Sequence, residues 1–423
     1  MAALQRAHLA NRAMSHLIPA AIDRPSDDPI FALNAEANRR ASTGEEVINA
    51  TLGALMADDG SLALIGEVQE AIRSIDPARA AAYAPIAGAS DFLGAVIRDT
   101  FGEGTMADRT VAVATPGGTG AIHHAIANYL EPGQALLTSS YYWSPYRIIA
   151  HHIGRQVETF RMYGDDERFD LESLEQSVDQ MIEAQGRVLV VLNFPCHNPT
   201  GYSLDAGEWR AVAEMLSRAA ARAPVTLLLD VAYSHYGLEE GWMENLAGFV
   251  EEGTLLVAWT ASKAFTQYGA RVGALLATVA DDDARQRTAN ALSYSCRGTW
   301  SNCNHLGMLA ITELLVDPER RVRVDEQRAE LRALLDDRVQ IFNQHAAEAG
   351  LRTPRYEGGF FVAVFTPDAR ATAAAAKEEG VFVVPLNGAV RVALCSTPSR
   401  DVPRLVEVLS RAVRATEAEM EQG

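Results

Sequence analysis

Six short runs of apolar residues constrain the fold of this chain more than any other feature. They are 111–114 (VAVA), 135–138 (ALLT), 188–192 (VLVVL), 225–229 (VTLLL), 254–258 (TLLVA) and 272–277 (VGALLA). A strand with one face in water alternates apolar and polar residues. These runs are apolar at successive positions, so they read as strands covered on both faces. Amphipathic segments separate several of them. In 205–221, Asp205 and Glu208 form an N-terminal capping signature, and Trp209, Val212 and Leu216 then fall on one helical face. Strand–helix alternation implies parallel strands joined by right-handed crossovers. The fold expected is α/β, a mostly parallel sheet of roughly seven strands between helical layers.

After residue 317 the texture changes. Residues 319–350 form a long charged stretch in which Leu331, Leu335, Val339 and Phe342 recur at helical spacings. Beyond it lie three strand candidates, 359–365, 381–384 and 390–395, and a helix near 402–415. The organisation expected is an N-terminal arm with part of a small domain over 1–45, a large domain over 46–318, and a small α/β domain over 319–423 entered by the long helix. A chain of 423 residues holds two or three units at ~150 residues each.

Composition removes several function classes. Hydrophobic residues at 48% and charged residues at 22% are ordinary globular values, which excludes wholesale disorder. Lys and Arg number 37 against 55 Asp and Glu, a net charge of −18. With no Lys/Arg-rich run, such a chain is a poor partner for a phosphate backbone. No apolar stretch approaches the ~20 residues that span a bilayer. The N-terminal MAALQRAHLANRAMSHL is broken by Arg, His and Asn where a secretory signal would be apolar. Cys196, Cys296, Cys303 and Cys395 show no CxxC pair and no metal-ligand spacing with histidine. Free thiols in a reducing cytoplasm fit best. The expectation is an acidic cytoplasmic protein with no metal, no nucleic-acid partner and no membrane partner.

In an open parallel sheet, ligands collect at the carboxyl ends of the strands. After 111–114 comes Thr115-Pro116-Gly117-Gly118-Thr119-Gly120 and then a helical pattern. This is either a tight turn or a helix N-terminus presenting N–H groups to an anion. After 188–192 comes Asn193-Phe194-Pro195-Cys196-His197-Asn198-Pro199-Thr200-Gly201, a structured turn presenting an amide side chain. After 225–229 comes Asp230, with Tyr233 three residues on. Asp230 is either a helix cap or a carboxylate set to meet a cation, such as a protonated ring nitrogen. After 254–258 come Thr260-Ala261-Ser262-Lys263 and, eight residues on, Arg271. A lone lysine is usually solvated. A partly buried one with a depressed pKa is what Schiff-base chemistry needs. Arg391, opening the run RVAL, and Arg297, in CRGTWSN, are of the type that forks onto a carboxylate, although each is more often a surface residue.

Gly118-Thr119, Trp143, Asn198-Pro199-Thr200-Gly201, Asp230-x-x-Tyr233, Ser262-Lys263 and Arg271, in this order, resemble the aspartate/aromatic aminotransferase family. These are class I/II aminotransferases, fold-type-I enzymes that use pyridoxal 5′-phosphate. The likeness runs from about residue 45 to the end. It implies that Lys263 forms the cofactor aldimine and later shuttles a proton, while Asp230 pairs with the pyridinium nitrogen and keeps the ring an electron sink. Tyr233 and Asn198 would hydrogen-bond the ring's phenolic oxygen. Trp143 would stack on the ring, with Tyr142 as the alternative, because YYWSPYR departs from the family's usual string. Gly118, Thr119, Thr260, Ser262 and Arg271 would hold the phosphate. Tyr83 would reach that phosphate from the neighbouring subunit of a homodimer. Gly53 would lie beside the substrate and Arg391 would clamp its α-carboxylate. Arg297 would bind the side-chain carboxylate of dicarboxylic substrates across the interface, in a loop where Cys303 and Asn304 replace prolines frequent in the family. The implied reaction moves an amino group between an L-amino acid, dicarboxylic or aromatic, and a 2-oxo acid. The same catalytic core would also serve β- or γ-elimination or replacement in specialised metabolism. A non-catalytic relative would usually lack the lysine, which is present here.

Overall fold

The computed structural model describes residues 16–22, 24–25, 29–237 and 241–422. Residues 1–15, the first third of the segment 1–45 and most of the stretch weighed as a signal, lie outside the described residues. All six apolar runs are strands, lengthened by up to two residues at an end. They are β1 (Thr110–Pro116), β2 (Ala135–Ser139), β4 (Val188–Leu192), β5 (Val225–Asp230), β6 (Thr254–Thr260) and β7 (Val272–Thr278). With β3 (Gln156–Phe160) they form one seven-stranded sheet in the order β1-β7-β6-β5-β4-β2-β3. The run pattern missed β3 because QVETF is apolar on neither face; only its Phe160 is buried. Three of its five residues are exposed, so this strand does not need the two-sided apolar sequence of a covered one.

The expectation of two-faced burial holds residue by residue in β4. Leu189 and Val191 of β4 enter the hydrophobic cluster on one side of the sheet, and Val190 and Leu192 enter the cluster on the other. Pairing is parallel from β6 through β5, β4 and β2 to β3. Strand β7 alone is reversed, antiparallel to both β6 and β1. That reversal matters for the site. It brings the start of β7, and Arg271 just before it, to the edge where the other strands end. The helix expected over 205–221 spans Ala206–Ala220 and opens with a complete capping box from Asp205 and Glu208.

The later part of the chain builds a second core. The long helix Pro318–Ala349 packs Val339, Phe342 and Ala346 against Val362, Val364, Val390 and Val392 and against Leu405 and Leu409 of the terminal helix Val402–Gln422. Strands β8 (Phe361–Phe365), β9 (Val384–Pro385) and β10 (Ala389–Ala393) form an antiparallel sheet in the order β9-β10-β8. The candidate 381–384 is two pieces. Val381–Phe382 pairs in parallel with Ile48–Asn49, while Val384 begins β9. The candidate 390–395 ends at Ala393, and Leu394–Ser396 turns as a 3-10 helix. The segment around Ile48 and Ala50 thus belongs to this second core. Among the described residues no helix is long and apolar enough to cross a membrane. All four cysteines are free.

Candidate active site

A cavity of about 160 Å3 opens at the carboxyl edge of the large sheet. Ten of the residues singled out from the sequence line it: Gly118, Thr119, Trp143, Asn198, Asp230, Tyr233, Thr260, Ser262, Lys263 and Arg271. The local reason is the same for most of them. Each sits on the turn or first helical residues after a buried strand, where the chain leaves the apolar layers.

One end of the cavity is built to receive an anion. The helix Gly117–Tyr129 begins directly after β1 and presents its first N–H groups there. The Thr260 hydroxyl donates to Ser262 Oγ at 2.9 Å. Arg271 Nη1 donates to the same Oγ at 3.3 Å, and Nη2 lies 3.5 Å from Thr119 Oγ1. Close backbone approach explains two glycines. A Cβ on Gly273 would stand 2.7 Å from Gly117 Cα, and one on Gly117 would stand 2.6 Å from Arg271 Nη2. Burial lowers the Arg271 pKa by withdrawing the guanidinium from water.

The other end holds a buried carboxylate. Asp230 closes β5, and burial pushes its pKa above the ordinary value. Hydrogen bonds from Tyr146 Oη (2.8 Å) and the Ala232 amide (3.3 Å), with the Lys263 charge, act against that rise. Asn193 Nδ2 donates to the Asp230 carbonyl at 2.7 Å, and Asn193 Oδ1 accepts from the Asn198 amide at 2.7 Å. Asn198 Nδ2 in turn donates to Tyr233 Oη at 3.3 Å. Lys263 stands between the two ends, on the short helix Ala261–Ala264 after β6. Its Nζ lies 5.6 Å from the Tyr233 ring centre and 5.8 Å from that of Tyr268. Burial lowers its pKa, partly offset by the Asp230 charge.

Trp143 lines the cavity, whereas Tyr142 stacks on Tyr146 with ring centres 6.3 Å apart. His197, buried and pushed down to about 3 by desolvation, packs on Phe194 and bonds Thr200. Arg391 does not line the cavity, but its Nη1 donates to Asn198 Oδ1 at 3.4 Å and its Nη2 to the Thr51 carbonyl at 2.7 Å. The Phe361 ring beneath Arg391, 4.4 Å from its guanidinium carbon, also fills the space over Gly53, where a Cβ would approach to 2.7 Å. Tyr83 and Arg297 are not brought to this cavity. Tyr83 is 91% exposed, and Arg297, at the end of helix Asp282–Gly298, donates to Ser301 Oγ at 2.6 Å. Sequence reasoning missed Tyr146, Asn193, Ile122 and Ala232. Asn193 had a signal in its place directly after an apolar run. Tyr146 had none, being 84 residues from Asp230.

The family described as aminotransferase class I and II matches residues 45–409. The chain belongs to this family. It is 29% identical over 350 residues to an aspartate aminotransferase of Pseudomonas aeruginosa, covering 80% of this chain and 85% of that one. It is also 29% identical over 331 residues to an aromatic-amino-acid aminotransferase of Paracoccus denitrificans, 76% and 80% of the two chains. Among solved structures, an aminotransferase from Anaerococcus prevotii superposes with a TM-score of 0.88 at 32% identity over 95% of this chain and all of that one. An aromatic-amino-acid aminotransferase from Burkholderia pseudomallei, described as covalently bound to pyridoxal phosphate, shares the fold at a TM-score of 0.78, 23% identity and 93% and 98% coverage.

Proposed function

We propose that this aminotransferase moves the amino group of an L-amino acid, dicarboxylic or aromatic, to a 2-oxo acid, using pyridoxal 5′-phosphate. One observation carries the reading: a lysine amine with a lowered pKa stands between a buried carboxylate and an anion cradle within one small cavity. That donor set fits the cofactor. Gly118, Thr119, Thr260, Ser262 and Arg271 would hold its phosphate. Asp230, a buried carboxylate whose ionised form needs a cation, would take the protonated ring nitrogen. Tyr233 and Asn198 would bond the ring's phenolic oxygen, and Trp143 would cover one face of the ring.

When bound, the cofactor supplies a cationic ring that delocalises the electron pair left on a substrate carbon after proton loss. The chain supplies the rest. Lys263 would hold the cofactor through Nζ and would carry the substrate proton as a base, its lowered pKa leaving it neutral more readily than a solvated lysine. Asp230 would keep the ring nitrogen protonated. Arg391 would fix the substrate α-carboxylate, so that the bond to be broken is held in one orientation.

The substrate class, the assembly and the setting rest on further observations. Relatives named for aspartate and for aromatic amino acids support a dicarboxylic or aromatic donor. The exposure of Tyr83 and the placement of Arg297 outside this chain's cavity support a homodimer in which both reach the neighbouring site. Four free cysteines support a reducing, cytoplasmic setting. The two cores support a large and a smaller domain, with 1–45 as arm and part of the smaller unit; Ile48 and Ala50 pack in the smaller core, so the large domain begins beyond them rather than at residue 46.

The deciding experiment mixes the holoenzyme with single amino acids and no 2-oxo acid acceptor, and monitors the visible spectrum. Conversion of the cofactor to its amine form, with one equivalent of 2-oxo acid released, is expected and names the donor. Loss of a side-chain leaving group with the cofactor still an aldehyde would replace transamination by elimination.

A further inference from the structure

The long helix Pro318–Ala349 carries a fully buried arginine, Arg338, well separated along the chain from the residues that line the cavity. Its Nη1 donates to the carbonyls of Leu394 (3.3 Å) and Cys395 (2.9 Å), and its Nη2 to the carbonyl of Met56 (2.8 Å) and to Asp58 Oδ1 (2.7 Å). Asp58, 45% exposed, is its only partner of opposite charge within 4 Å among the described residues. A buried guanidinium is costly to desolvate and is retained only where several acceptors meet it. These acceptors come from two segments that carry the substrate end of the site.

The first segment, residues 50–58, runs across the site as a strap. The Thr51 carbonyl takes Arg391 Nη2, Gly53 lies on the Phe361 ring under Arg391, and the Leu55 amide donates to Tyr268 Oη at 2.9 Å. Tyr268 faces Lys263 with its ring and holds Arg271 Nη1 with its carbonyl at 2.9 Å. The strap therefore touches the groups around Arg391 at one end and those around Lys263 at the other. The second segment, 394–395, directly follows the strand that bears Arg391. The two are laced together by Met56 N to Cys395 O (2.8 Å) and Ala393 N to Ala50 O (2.9 Å). Arg338 fastens that lacing from below.

We propose that Arg338, with Asp58, is a positioning residue for substrate binding: it sets the register of the 50–58 strap against the Arg391 strand, and so the distance from the substrate carboxylate to Lys263. The inference deepens the aminotransferase reading and rests on it for the role of Arg391. Because the α-carboxylate is common to all donors, the effect of Arg338 is the same for dicarboxylic and aromatic substrates.

The test compares wild type with Asp58→Asn, Arg338→Lys and Arg338→Met as holoenzymes. It measures single-donor half-reactions, the binding of succinate and 3-phenylpropionate as carboxylates with no amino group, and cofactor affinity of the apoprotein. Asp58→Asn changes a half-exposed side chain and keeps an acceptor, so the fold survives it. Expected are a roughly ten-fold weaker binding of donors and of both carboxylates in Asp58→Asn and Arg338→Met, less than a two-fold change in the saturating rate, unchanged cofactor affinity, and partial recovery in Arg338→Lys. A loss of thermal stability with unchanged substrate binding would overturn the proposal, as would a fall in the saturating rate alone or an effect confined to dicarboxylic ligands. A wild type that binds the carboxylates but converts no amino donor would sink the aminotransferase reading instead, leaving the strap to be judged on the binding ratios.

Discussion

Asp230 shows how one residue's charge is set by its neighbours. At the end of an all-apolar strand it would take up a proton readily, and burial does raise its pKa. Tyr146, itself buried, donates the hydrogen bond that most opposes this. Removing that donor by Tyr146→Phe is expected to raise the Asp230 pKa further. Loss of a hydrogen bond to a charged group is worth about 1.5–3 kcal/mol, or roughly one to two pH units. A raised pKa means the carboxylate protonates at higher pH, so the acid limb of the half-reaction rate and of cofactor affinity should move upward. Titration of both in the variant measures the shift, and an unmoved acid limb would mean that Tyr146 does not set the charge of Asp230.

At the scale of elements, the site depends on the segment directly after each strand. The helix after β1 turns its N-terminus to the anion cradle, and the reversed β7 delivers Arg271 to the same edge. The helix Ala206–Ala220 shows how firmly such an element is specified locally. Asp205 Oδ1 accepts from the Glu208 amide at 2.9 Å, and Glu208 Oε2 accepts from the Asp205 amide at 2.8 Å. Asp205→Ala should cost about 1–2 kcal/mol in denaturant unfolding, from the lost cap. Asp205→Asn keeps a capping side chain and gives up the ion pairs with Arg168 and Arg355, so it should cost less. Equal losses in the two variants would assign the stabilisation to the ion pairs instead.

For the whole molecule, acidity should be felt in a defined window. His124 and His197 are both held down to about 3 by burial, His124 also by the neighbouring His123. Between the ordinary value of 6.5 and about 3 the unfolded chain binds protons that the folded chain refuses, so stability falls as pH falls through that window. From pH 7 to pH 5 the two together should cost about 4 kcal/mol. Carboxylates whose pKa is lowered in the fold, such as Glu67, give up their contribution only at lower pH, near and below their ordinary value. Denaturant midpoints across that range test the sign, and a flat profile would contradict it. Assembly is tested at the same scale. If Arg297 serves a neighbouring site, Arg297→Ala should lower kcat/KM for dicarboxylic donors on the order of 100-fold, about 2–3 kcal/mol. Aromatic donors should be nearly unaffected, and equal losses would make Arg297 structural.

By itself the sequence determined six of the seven strands of the large sheet, because burial on both faces demands apolar residues at nearly every position of a short run. It also determined where the chemistry lies, since polar residues directly after such runs stand at the carboxyl edge. Nine of the residues lining the cavity were legible from their place around such runs and Trp143 from the family resemblance alone, which gave each its proposed role. Tertiary structure alone decided what depends on partners distant in the chain. The edge strand Gln156–Phe160 has no apolar signature, and the split of 381–384 comes from a pairing with Ile48–Asn49, more than 300 residues earlier. Tyr146 reaches Asp230, and Arg338 reaches Met56 and Asp58, only because the fold brings them together. Local pattern records whether a residue is buried. Which group meets it there is a property of the packed chain.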